Sequence, residues 1–323
     1  MIITVTLNAA IDKTMAVPNF QPGRRHRTID QTTTPGGKGV NIARVLKRLG
    51  QPVIATGLAG GATGTRIVEQ LTEMSVLCDF VRIPEESRTN TALIDPTTGQ
   101  QTEVNERGPH VGEREMALFS EKLLYLAKGA SMCVFAGSLP RGVDVDVYGG
   151  LIRELRRLGV QTVVDTDGDP LLRAVRAEPD VISPNVLEAE ELVGHEFNDD
   201  TDQIFALREM VDLGAREAIM TVPSGCVAQV APLQSTVLPR LYRVTTPALE
   251  TTASIGSGDA FLAGYVAARY LGRPAPDCLA YGVAAGAEST QHLGAGVVEL
   301  EAVERRVAEV EVLRIDDPAL SVR

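Results

Sequence analysis

Short β-rich runs alternating with amphipathic helical stretches constrain this chain more than any other feature. The runs IITVTL (2–7), PVIATGLAG (52–60), SMCVFAG (131–137), QTVVDT (161–166), DVISPN (180–185) and EAIMTV (217–222) are interleaved with helical patterns such as 112–128, 145–158, 187–194 and 201–213. Strands that rejoin one sheet through a helix run parallel, and a parallel sheet is covered on both faces. The expected class is therefore α/β, with a mainly parallel sheet and ligands at the carboxyl ends of its strands. With 323 residues, 44% of them hydrophobic, the chain can bury a substantial core.

Two segments break the alternation. Residues 14–34 (TMAVPNFQPGRRHRTIDQTTT) and 89–106 (TNTALIDPTTGQQTEVNE) alternate polar and apolar residues around turn signals at Pro22-Gly23 and Pro96 to Gly99. They are expected to form antiparallel strands outside the main sheet, a small β lid over a pocket. Its uncovered apolar face calls for a ligand or a second subunit. The stretch ELEAVERRVAEVE (299–311) reads as a charged amphipathic helix.

A formal charge of −11 argues against a nucleic-acid partner, but not against a small anionic substrate. No apolar run approaches a membrane span, and MIITVTLNAAID lacks the basic region and cleavage site of a signal peptide, so a cytosolic protein without membrane contact is expected. Cys78, Cys133, Cys226 and Cys278 are widely spaced, with no histidine near them in sequence; they read as buried free thiols rather than disulfides or a zinc site.

Two glycine-rich stretches carry the chemistry. ASIGSGDAFLAG (253–264) places Asp259 behind Gly256-Ser257-Gly258 at the start of a helical run. Asp259 can cap that helix, or it can stand beside an anion that the bare amides hold. TPGGKGVNIARVLKRLG (34–50) lacks Walker spacing. Its glycines admit a ligand against the backbone, Lys38 offers a point charge for a phosphate, and Asn41 offers a donor and an acceptor. Alone, the stretch is equally a tight turn with a solvated lysine.

Together with TLNAAID (6–12), SRTN (87–90), AGSLPRG (136–142) and SPNVLEAEEL (183–192), these stretches, in this order and spacing, resemble the PfkB, or ribokinase-like, family of carbohydrate kinases. The likeness spans about residues 2–298 and is strongest to the branch of phosphofructokinase, 1-phosphofructokinase and tagatose-6-phosphate kinase. It implies a single kinase domain over 1–323, a ribokinase-like three-layer αβα sandwich with the two lid segments inserted, and a homodimer joined through the lid. It implies ATP as co-substrate with Mg²⁺, and a ketohexose phosphate as acceptor: fructose 6-phosphate or tagatose 6-phosphate at O1, or fructose 1-phosphate at O6.

Residue by residue, the resemblance assigns Asp259 as the base that takes the hydroxyl proton, with the amides of Gly256, Ser257 and Gly258 holding charge on the transferred phosphoryl. Asp12, on the loop after the first strand, Gly37 and Asn41 bind the sugar. Arg88, Lys38, Arg25 and Arg27 are candidates for the phosphate already on the substrate, the lid arginines with the option of serving a neighbouring subunit. Asn185 and Glu188 match an N-x-x-E motif that organises Mg²⁺ through water. Ser138 and Asp165 line the pocket, and Thr221 and Gly225 belong to the nucleotide side. An Asp259 of near-normal pKa suffices as base if the proton leaves late.

The chain departs from the family pattern at the nucleotide end. Ser183 stands where a lysine is usual before Pro-Asn, TVPSGCVA (221–228) replaces a glycine-rich turn, and Ala9 replaces a proline. A sugar-phosphate-binding relative with an impaired nucleotide site is therefore the alternative expectation.

Overall fold

The computed structural model describes residues 1–231, 239–249 and 251–315. Along the chain run strands β1 (Ile2–Thr6), β2 (Ala10–Ala16), β3 (Asp30–Gly36), β4 (Val53–Gly60), β5 (Leu77–Ile83), β6 (Arg88–Ile94) and β7 (Gln101–Asn105). They continue with β8 (Met132–Ala136), β9 (Gln161–Asp165), β10 (Val181–Ile182), β11 (Glu217–Val222), β12 (Gly225–Val230), β13 (Arg240–Thr245) and β14 (Glu311–Ile315). The helices are α1 (Lys38–Arg48), α2 (Gly61–Glu73), α3 (Glu113–Ala127), α4 (Val147–Arg157), α5 (Gly168–Val175), α6 (Val186–Val193), α7 (Asp200–Asp212), α8 (Ser257–Tyr270), α9 (Ala275–Ser289) and α10 (Leu300–Val307).

The main sheet runs β14-β13-β12-β11-β10-β9-β8-β1-β4-β5. It is parallel from β5 to β11, and β12, β13 and β14 pair antiparallel at one end. Successive strand residues face opposite layers: Val134 and Val163 pack with α1, α8 and α9, whereas Phe135 and Val164 pack with α3, α4 and α5. Helices α8 and α9 are buried along nearly their whole length. They lie close because Gly264 has no side chain; a Cβ there would fall 2.7 Å from that of Ala285. The first strand lies inside the sheet, so the chain leaves it to one side through β4 and to the other through β8. A crevice opens at that switch, outside the carboxyl ends of the strands.

The lid is a second sheet of order β3-β2-β6-β7. Its first strand begins at Ala10, earlier than the polar–apolar alternation indicates, which puts Asp12 on a lid strand and not on the loop after β1. The pairs β2–β3 and β6–β7 are antiparallel as expected, but β2 and β6 run parallel because they are joined through β4, α2 and β5. The charged stretch near the C-terminal end is also only partly helical. α10 stops at Val307, and Glu311–Ile315 pairs along β13, its Val-Leu and Ile favouring a strand. All four cysteines are free; Cys133, Cys226 and Cys278 are buried and Cys78 is half-buried. Among the described residues no helix is long and apolar enough to cross a membrane.

Candidate active site

A cavity of about 490 Å³ lies between the lid and the crevice. At one end Gly36 and Gly37 link β3 to α1. A Cβ on Gly36 would collide with the Asp12 carboxylate, and Gly37 holds a φ of 94° that disfavours any side chain. Asp12 sits opposite Asn90 in the β2–β6 register, and Asn90 Nδ2 donates to its Oδ1 at 2.9 Å. Burial pushes the Asp12 carboxyl above its usual range, against the pull of Asn90 and Arg88.

Asp259 lines the same cavity, in the first turn of α8. Gly256 ahead of it is left-handed (φ 79°) and packs on Ala295, where no Cβ would fit. Gly258 has open space around it and presents bare backbone to the cavity. The Asp259 side chain caps nothing; its Oδ2 accepts from Asn41 Nδ2 at 2.8 Å. Burial, helped by the Asp165 charge and opposed by Lys38 and Asn41, raises its pKa to about 7. A carboxylate poised near neutrality is a stronger base than one of near-normal pKa, which would need the proton to leave late.

Lys38 is drawn toward the other end of the cavity. Its Nζ bridges Asp165 Oδ1 (2.7 Å) and Glu188 Oε1 (3.3 Å). Burial alone would lower its pKa, but the two carboxylates override that and hold the ammonium well above the ordinary lysine value. Asn185 and Glu188 form a reciprocal capping box at the start of α6: Glu188 N donates to Asn185 Oδ1 and Asn185 N to Glu188 Oε2, each at 3.0 Å. The motif therefore has a helix-starting duty besides any ligand. Thr221 joins this end, held by its N–H to Pro184 O at 3.0 Å.

Arg88 lines the cavity from β6. Its Nε donates to Asn8 O (3.0 Å) and its Nη1 to Glu106 O (3.1 Å), so two backbone carbonyls fix the guanidinium plane. Ser138, after β8, accepts from Asn8 Nδ2 at 3.3 Å and also faces the cavity.

Four sequence-derived candidates stand apart from the cavity. Arg25 and Arg27 are exposed on the segment between β2 and β3. Ser257 turns its N–H to Ser254 O at 3.2 Å. Gly225 belongs to the tight β11–β12 hairpin, and its missing side chain is explained by Val244 O, which a Cβ would strike. Conversely, the structure adds Asn90, Lys13 and Asp167 to the lining. Asn90 belongs to the SRTN motif, but only the strand register shows that it holds Asp12.

The pfkB family carbohydrate kinase model matches residues 5–302. A 1-phosphofructokinase of Borreliella burgdorferi is 30% identical over 97% of this chain and 98% of that protein. Escherichia coli phosphofructokinase-2, in its complex with substrates and products, superposes with a TM-score of 0.87 at 26% identity, covering 95% of this chain and 98% of the other. An Arabidopsis thaliana ribokinase complexed with ribose and ATP shares the ribokinase-like fold, with a TM-score of 0.73 at 20% identity over 95% of this chain and 98% of that one. An α/β core, a β lid and a carboxylate behind a glycine turn thus coincide with the family match over most of the sequence, and the chain belongs to the pfkB family of carbohydrate kinases.

Proposed function

We propose that this kinase transfers the γ-phosphoryl of ATP to a primary hydroxyl of a ketohexose phosphate. The observation that carries the reading is one cavity holding a buried carboxylate beside a bare helix start at one point and a preset arginine at another. Asp259 takes the hydroxyl proton, and the Gly258 backbone at the start of α8 meets the charge on the transferred phosphoryl. Asp12 and Asn41 hold the sugar, and Arg88 meets the phosphate it already carries. The 1-phosphofructokinase relative favours fructose 1-phosphate, phosphorylated at O6, and the likeness to phosphofructokinase-2 favours fructose 6-phosphate, phosphorylated at O1. A coupled assay across both, with tagatose 6-phosphate, ribose and adenosine as further acceptors, decides between them. Absence of turnover with every acceptor, in a protein that still binds sugar phosphate, would replace the kinase reading with that of a binding relative.

Among the described residues no cluster of three His, Cys, Asp or Glu could cage a metal. Glu188 is already engaged twice, by Lys38 and by the Asn185 N–H. That donor set suits a Mg²⁺ that would keep most of its water, with Glu188 and Asn185 as the residues that would hold it through that water. Bound there, the ion would neutralise charge on the phosphates.

The nucleotide end remains electrically unfavourable. Ser183 contributes no charge, and Lys38 alone stands against the carboxylates of Asp165, Asp167 and Glu188. One missing charge-assisted phosphate contact is worth about 1.5–3 kcal/mol, or about one to two decades in affinity. Ser183→Lys is therefore expected to lower the KM for ATP by that factor and leave the sugar KM in place. Low-micromolar Mg·ATP binding by the wild type, with no gain on substitution, would show that no such defect exists.

The lid supports a homodimer. Ile29, just before edge strand β3, is 69% exposed and Val104, on edge strand β7, is 59% exposed, and pairing two lids covers both. In such a dimer Arg25 and Arg27, exposed between β2 and β3, are the candidates for serving the partner's cavity. Light scattering is expected to give twice the chain mass at micromolar concentration; a fully active monomer would end this reading.

A further inference from the structure

Helix α1 buries a cation that does not line the cavity. Arg44 lies one turn beyond Asn41 and is only 4% exposed, yet among the described residues its guanidinium makes no ion pair. Its Nε is buried without a hydrogen-bond partner among them. A guanidinium buried in this way is costly, and a leucine or methionine would serve the helix and its packing better. Its hydrogen bonds indicate what it does instead.

Arg44 Nη1 donates to Asn41 Oδ1 at 3.3 Å and to Pro35 O at 3.0 Å. An asparagine amide has one accepting end and one donating end. With Oδ1 taken by Arg44, the NH₂ must face the other way, where Nδ2 donates to Asp259 Oδ2 at 2.8 Å. Turned over, the amide would set its oxygen against the carboxylate and its NH₂ against the guanidinium, two repulsive contacts at once. The Pro35 bond anchors the guanidinium to the end of lid strand β3. On another side Gly296 packs on it so closely that a Cβ would lie 2.8 Å from Nη1, and the adjacent Ala295 abuts Gly256.

We propose that Arg44 is a positioning residue for phosphoryl transfer, which acts through Asn41 to keep the Asp259 carboxylate aimed and ionised. The inference rests on the reading of Asp259 as base. The charged groups around Asp259 are Asp165 on β9 and Asp12 on β2, which favour its protonated form, and Lys38 and Arg44 on α1, which favour its ionised form. Burial lowers the Arg44 pKa to about 10, so it is still a cation at neutral pH. Loss of its cation, together with the Asn41 amide that it holds as donor to the ionised carboxylate, moves the acid limb of the rate profile to higher pH.

The test uses the full chain with Mg·ATP and whichever of fructose 1-phosphate and fructose 6-phosphate turns over faster. Arg44→Met is expected to lower kcat by about 10²-fold through misalignment and to move the acid limb upward. Arg44→Lys keeps the charge, so the limb lies close to its wild-type place, but an ammonium on a shorter stem does not reach the position of Nη1 against both Pro35 O and Asn41 Oδ1, and kcat stays at least about tenfold low. In an Asn41→Ala background either replacement is expected to cost no more than about twofold further, because the route to Asp259 is already cut. An unmoved limb in a folded Arg44→Met, wild-type kcat in Arg44→Lys, or losses that add fully to that of Asn41→Ala would each overturn the proposal. If Arg44→Met does not fold, Arg44→Lys with and without Asn41→Ala decides the matter. Asp259→Asn measured alongside separates the two readings: retained turnover removes the base itself, whereas an inactive Asp259→Asn with a failed Arg44 pattern removes only the positioning.

Discussion

Asp259→Asn is expected to lower turnover by at least about 10²-fold while sugar-phosphate binding changes little. The substitution preserves size and can still receive the Asn41 N–H, so the cavity wall stays in place and only the proton acceptor is lost. Wild-type kcat/KM is expected to climb as pH rises through about 7, where the buried carboxyl gives up its proton, and the residual rate of the variant should lack that step. Stability gives a second readout of opposite sign. The folded-state pKa lies above the ordinary 3.8, so the stability that protonated Asp259 lends is complete below that value and is lost as pH rises toward about 7. Asp259→Asn loses nothing over this window, so its Tm should exceed that of the wild type above neutrality and converge with it in acid. A folded variant with near-normal kcat would remove Asp259 from the chemistry.

Arg88→Ala is expected to weaken ketohexose-phosphate binding by about 2–5 kcal/mol, which spans roughly one and a half to three and a half decades. The size follows from the setting. The guanidinium is half-buried and already fixed by Asn8 O and Glu106 O, so little side-chain entropy remains to be lost when a phosphate arrives. Arg88→Lys should recover only part of the loss, because an ammonium cannot span two carbonyls and a phosphate in one plane. Unphosphorylated fructose should be a poor substrate for the wild type and nearly indifferent to the change. Equal wild-type kcat/KM for fructose and for its phosphates would sink this assignment, and a melting curve for the variant checks that the loops at Asn8 and Glu106 stay in place.

The parallel sheet is readable from sequence because its strands are buried on both faces and appear as unbroken apolar runs. The glycine turns before Lys38 and Asp259 are legible as helix starts, but each alone is also a plain turn or cap, and only their occurrence together with the other motifs points to a site. What escapes depends on contacts between distant segments. The start of β2 is hidden because Ala10 and Ile11 are both buried, which erases the alternation that marks a half-covered strand. Lys38 looks available for a sugar phosphate until the fold brings Asp165 and Glu188 to it from β9 and α6. Gly225 reads from sequence as a nucleotide contact, and only the fold shows that strand β13 passing behind it also requires a glycine there. Arg44 is invisible for a different reason: on an amphipathic helix a charge is assigned to solvent by default, and only packing reveals one turned inward.

The bridge that Lys38 makes would favour one order of events in the proposed reaction. While it holds, Asp165 and Glu188 face an ammonium, and a divalent ion arriving alone would have to displace that ammonium and shed its own water. In the proposed reaction, an ion chelated by nucleotide would bring anions to which Lys38 could turn, leaving Asp165 and Glu188 without their cation. On that reading the metal would be a passenger of the nucleotide, and without nucleotide this end of the site is partly neutralised by a cation of its own.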